Sequence, residues 1–401
     1  MDNRSMTAGK NILMVLQSDY PPDIRLTKEI DVLTGAGFRI FLLCNNLGGR
    51  PRQEMVDGAT VIRLRHYRFL PARLMNIPLF FNPIWLWAIR RAIRRFEISS
   101  LHVHDLPLAM AAIWMGALFH LKAVFDVHEN YPAALRIWGR KGFFGFILRN
   151  PALAEKLERS CLRRADVILT VAEEHRELFI SRGVAAEKIF CVSNTVDFES
   201  YLQIAIDPRI VDAYRDQYVL AYVGKFGPER DLETAIRALK EIRSVIPNVR
   251  LLLVGEGPNR EDLLRCAREQ RVEDLVEITG WVNFELTPSY ITASAVCIVP
   301  QPSNPLIDNG VPHKLFQYMA YARPVISSDA KAISRVLRDS RCGEIFASGS
   351  SSEFAAAVVK IFRSSFPYGE YGREAVATKY NWKVSAQELL RAYQYLTNPS
   401  R

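Results

Sequence analysis

The chain has 401 residues, 49% of them hydrophobic and 24% charged, a balance that makes folded domains the expectation throughout. That length is long for one core and comfortable for two. Lysine and arginine number 52 against 43 acids, a net charge of +9; the excess favours an anionic partner, and without a DNA- or RNA-reading motif no nucleic acid is expected.

Six cysteines, at 44, 161, 191, 266, 297 and 342, are scattered without a CxxC pair, which fits a reducing compartment. The first ten residues lack the apolar core of a signal peptide. No apolar run reaches the roughly eighteen residues a membrane span needs. The expected location is cytoplasmic, with room for peripheral contact on the inner face of the cell membrane.

In chain order, short apolar runs predict strands over 11–17, 38–44, 100–105, 123–128, 165–171 and 189–194. Helical patterns separate most of them, as in "RLTKEIDVLTGAG", which stops at Gly37. The scheme repeats with strands over 218–224, 249–255, 275–280, 294–300 and 324–329. Continuous apolar strands joined by helices mean parallel sheets covered on both faces. The less regular stretch "YLQIAIDPRIVDAYRDQ" sets the boundary. The expectation is α/β: Rossmann-like doubly wound domains over 1–203 and 204–375, facing across a cleft. A terminal helix over 376–401 would pack back on the first domain. Ligands of such domains bind outside the carboxyl ends of the strands.

Three strand ends in the second half carry chemistry. In "YVGKFGPERDLETAIRA" a strand ends at Gly224, Lys225 follows, and Arg230 precedes a helix. Two such cations suit two phosphates of one ligand, although a solvated basic loop has the same spacing. In "LLLVGEGPNREDL", Gly255 and Gly257 bracket a tight turn where a ligand can approach the backbone. In "NGVPHKLFQYMAYARPVI", Pro312 pre-sets a helical turn whose amides, with Lys314, make an anion site; Asn309, His313 and Gln317 crowd the same mouth. In the first half, His104-Asp105 and His128-Glu129 end successive strands, a pairing that favours a site. Asp23 and Arg25 fall in the loop after the first strand.

Taken in order, "VGKFGPERDLETAIRAL", "LLLVGEGPNREDL", "ITGWV", "ASAVCIVPQ" and "GVPHKLFQYMAYARPVIS" resemble the donor-binding domain of the retaining glycosyltransferases of family 4, which have the GT-B fold. "ADVILTVAEE", "IFCVSNTVD", "SDYPPDIRLTKEIDVLTGAG" and "DVHENYP" extend the likeness over roughly residues 10 to 395. The resemblance implies that Lys225 and Arg230 bind the donor pyrophosphate and that His128 lies near the donor sugar. It puts Gly224, Gly255, Gly257, Trp281, Val282, Gly310, Val311 and Lys314 by the nucleotide. Gln317 falls where the family has the second glutamate of its E-x7-E motif, and Asn309 where it has the first, so both carboxylates are amides here. An amide oxygen still accepts from a ribose hydroxyl, but Asn309 cannot stabilise positive charge, and the adjacent Asp308 is a candidate substitute.

The histidines and acids show no metal-ligand spacing, and the resemblance implies a nucleotide-sugar donor, UDP- or GDP-linked, as substrate, with no metal cofactor. The function it implies is retaining transfer of a sugar to a glycan or lipid-linked acceptor in surface polysaccharide or glycolipid biosynthesis. A UDP-sugar 2-epimerase of the same fold and a non-catalytic nucleotide-sugar-binding relative are the alternatives. A dinucleotide-dependent dehydrogenase lacks its GxGxxG after the first strand.

Residues 61–100 hold arginines 63, 65, 68, 73, 90, 91, 94 and 95 against one acid, Glu97, together with Phe80, Phe81, Trp85 and Trp87. A helix over 84–96 would set an apolar face against a basic one. "IWGRKGFFGFILRN" (137–150) repeats the basic and aromatic mixture. Such segments suit an anionic membrane surface and a diphosphate-bearing acceptor, although a helix packed on its own sheet reads the same way.

Overall fold

The computed structural model describes residues 10–64, 82–138 and 150–397. They divide into two compact units. One runs to Val192 and resumes at Ala386; the other is Ser193–Ser385.

The first unit holds eight strands: β1 (Asn11–Val15), β2 (Arg39–Cys44), β3 (Gln53–Val56), β4 (Ala59–Arg63), β5 (Ser100–His104), β6 (Lys122–Val127), β7 (Val167–Thr170) and β8 (Ile189–Cys191). They lie in the order β3-β4-β2-β1-β5-β6-β7-β8, parallel except for β3 against β4. β3 and β4 were not expected from the sequence. They are joined by Asp57-Gly58, both at positive φ, the two-residue connection that matches strand twist. The helix Leu106–Leu118, apolar on nearly every side, covers β5 and β6 and is flanked by Pro83–Arg95 and Pro151–Arg164.

The second unit has six parallel strands: β9 (Tyr218–Val223), β10 (Val249–Val254), β11 (Val276–Gly280), β12 (Val296–Val299), β13 (Val325–Ser328) and β14 (Gly343–Phe346), in the order β11-β10-β9-β12-β13-β14. β14 was also unexpected, since Gly343 and Glu344 interrupt its apolar run. Gly343 is required there, because a Cβ would lie 1.7 Å from the Val325 oxygen. β12 and β13 are wholly buried and β9 and β10 are so except for one residue each, as expected of central parallel strands covered on both faces, while the edge strands β11 and β14 are mostly part-buried.

In both sheets the strand order reverses direction once, between β1 and β5 and between β9 and β12, and such switch points open a crevice at the carboxyl ends. The boundary falls at Val192, earlier than the expected 203. The reason is that Tyr201 packs its ring against Phe284 and Tyr321, and the Asp207 amide donates to Ser289 Oγ at 2.9 Å. The return falls at Ala386, inside the helix Trp382–Thr397, and not at 376. Tyr368–Thr378 stays with the second unit, where Gly372 packs on Met319 and Cys342. Tyr393, on the terminal helix, packs on Phe38 and bonds His102. No cysteine is in a disulfide.

Candidate functional site

The helix His313–Ala320 begins beside the switch point of the second unit, with Pro312 as its N-cap residue. Leu315, Phe316, Tyr318 and Met319 are buried, and the Tyr318 hydroxyl accepts from the Val223 amide at 2.8 Å, tying the helix to the end of β9. The opposite face carries Lys314 and, three residues on, Gln317, both part-buried. The Lys314 ammonium sits 3.3 Å from the centre of the Tyr222 ring. It lies so close to Gly224 that a Cβ there would be 2.9 Å from Nζ. Burial, reinforced by the Arg230 charge, holds Lys314 well below the ordinary lysine range.

Arg230 is part-buried with Glu229 3.4 Å away, and Lys225 is exposed. The structure therefore gathers Gly224, Arg230 and Lys314 about Tyr222. The sequence reading took Tyr222 only for a strand residue; a tyrosine two positions before a strand-end glycine was the signal available.

The glycines at 255 and 257 also serve the packing of the chain on itself. Gly255 is at φ +142, and a Cβ there would lie 2.1 Å from the Gly224 oxygen; at Gly257 it would lie 2.0 Å from the Phe226 oxygen. The loops after β9 and β10 run against each other, with the Gly224 amide on the Val254 oxygen at 2.8 Å and that of Phe226 on the Glu256 oxygen at 2.9 Å. The missing side chains make room for the chain itself. Trp281, just beyond β11, is 68% exposed, and Val282 beside it is part-buried.

Asn309 ends the short turn Ile307–Asn309, and its amide donates to the Pro305 oxygen at 2.7 Å. Gly310 is extended and the Val311 side chain is buried. Asp308 is not a spare charge: it accepts from Ser303 Oγ at 3.0 Å and from the Lys331 amide at 3.1 Å, capping the helix Lys331–Ser340.

In the first unit, Asp23 and Arg25 are not loop residues over a ligand. Asp23 caps the helix Ile24–Gly35, accepting from the Leu26 amide at 3.0 Å. Arg25 is buried, 2.9 Å from a carboxylate oxygen of Glu29 and 2.9 Å from one of Asp126, with a further bond to the Val192 oxygen.

Asp126 lies beneath both expected histidines, with His128 Nε2 at 2.8 Å and His104 Nδ1 at 3.3 Å. His102 stacks on His104 and meets the Tyr393 hydroxyl at 3.0 Å. Burial opposes charge on Asp126, yet Arg25 and His128 outweigh it and hold the carboxyl well below its usual range. Burial and the Asp126 charge raise Glu29. Burial, then His104, pulls His102 down to about 4.

His128, expected beside the donor sugar as a catalytic group, is 20% exposed and has both ring nitrogens facing carboxylates, Nδ1 being 3.4 Å from Asp105. Burial disfavours its charge, but Asp105 and Asp126 prevail and raise it to about 10. With a carboxylate facing each ring nitrogen, the ring is biased toward its protonated form, in which both nitrogens donate.

Among the described residues, Glu29, His102, His104 and Asp126 bring ligand atoms within 4.8 Å of one another, a proximity that no sequence spacing revealed. The Arg25 guanidinium bonds both carboxylates, which joins the group into a salt-bridged core network. His104, with Asp19, Asp105, Glu129 and Tyr131, lines a cleft of about 390 Å³ at the β1/β5 switch point.

Two doubly wound parallel-sheet units of this kind define the GT-B class. Residues 217–364 match the family model described as glycosyl transferases group 1, and residues 28–195 match that of the glycosyl transferase 4-like domain. The chain belongs to this family of glycosyltransferases, family 4, and is an enzyme of the hexosyltransferase type. Similar proteins include the phosphatidyl-myo-inositol mannosyltransferase of Mycobacterium leprae, 27% identical over 381 residues, 91% of this chain and 94% of that one. The alpha-D-kanosaminyltransferase of Streptomyces kanamyceticus is 21% identical over 327 residues, 78% and 81% of the two chains. Among solved structures, sucrose-phosphate synthase of Thermosynechococcus elongatus aligns with a TM-score of 0.77 at 18% identity, over 96% of this chain and 99% of that one. Anabaena HepE in complex with UDP aligns at 0.69 and 14% identity with the same coverage.

Proposed function

We propose that the protein transfers a sugar from a UDP- or GDP-linked donor, with retention of configuration, to a glycan or lipid-linked acceptor in surface polysaccharide or glycolipid assembly. The observation that carries the donor half is the cluster of Lys314, Arg230 and Gly224 around Tyr222 at the β9/β12 switch point. A desolvated ammonium beside a guanidinium repels its neighbour until an anion arrives, and a diphosphate supplies that charge. The UDP held by Anabaena HepE, a protein of the same fold, supports the reading.

In this reading Lys225, Arg230, Lys314 and the amides from Gly310 onward stabilise the departing diphosphate, with no metal assigned a part. Gln317 receives the ribose hydroxyls through its amide oxygen, and Trp281 with Val282 borders the base. As the C1–O bond to phosphate breaks, the acceptor oxygen forms its bond to C1 on the same face, and its proton passes to the leaving phosphate. Pre-aimed charge of this kind is commonly the largest catalytic contribution. Incubation with UDP-glucose, UDP-galactose and GDP-mannose in the presence of a bacterial lipid extract tests it. The expected result is label in a lipid or glycan product with retained anomeric configuration. An epimerised donor formed without any acceptor would favour the alternative enzyme.

We further propose peripheral contact with an anionic membrane through the first unit. On the helix Pro83–Arg95, Trp85, Ile89 and Ile93 face the core, while Arg90, Arg91, Arg94 and Arg95 are exposed and Trp87 is 59% exposed. Beside it lies a groove of about 730 Å³ lined by Arg52, Trp87, Arg91, Arg95 and Phe96. Arg63 also lines this groove, but its side chain is buried and 2.6 Å from Glu54. Arginines 65, 68 and 73, Phe80, Phe81 and nearly all of 137–150 lie outside the described residues. No helix among the described residues is long and apolar enough to cross a membrane. Sedimentation with phosphatidylglycerol vesicles is expected, and it should be lost when the four exposed arginines become alanine, at about 1 kcal/mol each.

A further inference from the structure

β14 is the last strand of the second sheet, and no strand among the described residues pairs with its outer edge. The Val325 amide donates to the Cys342 oxygen at 3.0 Å, and Val325 registers with Gly343. In a parallel ladder that phase turns the peptide groups of Glu344 toward β13 and those of Gly343 and Ile345 outward. Their amides and carbonyls line an open edge, the feature that templates pairing with another chain. A groove of about 680 Å³ runs beside it, lined among others by Arg338, Arg341, Ile345 and Phe366. Phe366 is 40% exposed and stacks at 5.1 Å on Tyr371, itself 38% exposed, so apolar rings at this edge also remain to be covered.

Charge usually blunts such an edge, but here the two signs are sorted along the strand. Arg338, in the last turn of Lys331–Ser340, and Arg341, just after it, stand at the amino end of β14. Both are exposed, and among the described residues neither has an acid within ion-pair reach. Arg341 lies over the Tyr371 ring at 6.0 Å. Asp329 follows Ser328, which registers with Phe346, and Glu353 accepts from the Ala347 amide at 2.8 Å. Both acids therefore stand at the carboxyl end. They too are exposed, and their bonds are to neutral groups, Asp329 accepting from the Ser348 amide at 3.1 Å.

We propose that the second unit pairs with a second copy of this chain, β14 running antiparallel to the β14 of that copy about a two-fold axis. Antiparallel pairing sets the basic end of each edge against the acidic end of the other, whereas parallel pairing opposes like charges. A patch that meets itself in this way closes at two copies. The outward peptide groups fix the register. With Ile345 opposite Ile345 the two residues exchange both of their hydrogen bonds, while a register centred on Glu344 sets two carboxylates face to face. The pairing joins the two six-stranded sheets into one.

Sedimentation velocity tests this. The wild-type chain, taken up to about 100 μM, should show a monomer–dimer equilibrium with Kd in the micromolar range, as a contact of this small size allows. Ile345→Pro removes the central amide in a way an edge strand tolerates, and it should raise Kd by about tenfold or more. Arg338→Glu/Arg341→Glu makes both ends acidic, and Asp329→Lys/Glu353→Lys makes both ends basic. Each of these chains should be monomeric alone, and an equimolar mixture should recover a dimer containing one of each, a result that a misfolded variant does not give. Ile345→Pro added to both should weaken the mixed dimer again. The proposal is overturned if the wild type stays monomeric, if its dimer survives Ile345→Pro unchanged, if either charge-reversed chain dimerises alone, or if their mixture stays monomeric.

Discussion

The Lys314 ammonium and the Tyr222 ring, brought together from the helix after β12 and from β9, are 3.3 Å apart from nitrogen to ring centre. Tyrosine offers an ammonium some attraction but no counter-charge, and burial with Arg230 nearby depresses Lys314. A bound diphosphate reverses that balance. Nucleotide binding should therefore be accompanied by proton uptake, seen as a heat that varies with buffer ionisation enthalpy. Lys314→Met should abolish the uptake and lower the transfer rate by about 10²–10³-fold.

Alanine at Gly257 places a methyl 2.0 Å from the Phe226 oxygen, and backbone cannot yield as a side-chain tip does. Gly257→Ala should separate the loops after β9 and β10 and so displace Lys225 and Arg230. The expected outcome is a loss of about 1–3 kcal/mol in urea denaturation together with weakened UDP or GDP binding. Gly35→Ala serves as the control, since nothing lies within 4 Å of a Cβ there.

Arg25 bridges two buried carboxylates, and removing it strips Glu29 of its cation and leaves Asp126 with His128 alone. Arg25→Met should cost about 3–5 kcal/mol in equilibrium unfolding. Asp126→Asn should bring the His128 titration down from about 10 toward the ordinary histidine value, followed by the ring proton resonances in NMR.

The contribution of the buried histidines to stability should fall on both sides of about pH 6.5, their value in the unfolded chain, while the carboxyls of Glu29 and Glu158, each raised to about 7, work against the acid limb. His175 is wholly buried and pushed down to about 3 by burial and then Arg182, and His102 is down at about 4. On acidification the unfolded chain takes up these protons first, so stability declines from about 6.5 toward those values. His128, raised to about 10, works the other way: its contribution is complete below 6.5 and is lost as the pH climbs to 10. Urea midpoints measured at several pH values check both limbs. His175→Leu should ease the acid limb by about 1.4 kcal/mol per pH unit.

The eleven strands legible in the sequence were the continuous apolar runs, because a strand covered on both faces has no polar positions to confuse the pattern. β3 and β4 were missed although Asp57-Gly58 marks their turn; at the edge of the sheet, "QEMV" carries no apolar run. At the candidate site, motif order pointed to Lys225, Arg230, Lys314 and Gln317, whereas the reason for Gly255 and Gly257 needed the packed loops. Nothing local announces that Arg25 meets Asp126, 101 residues further along the chain.

The most direct measurement is calorimetric titration of UDP and GDP into the wild-type chain and into a Lys225→Ala/Arg230→Ala variant. The account predicts that one of the two nucleotides binds the wild type and that the double variant weakens it by about 100-fold or more, as loss of two charged contacts requires. Binding of equal strength in both chains, or no binding in either, would contradict it.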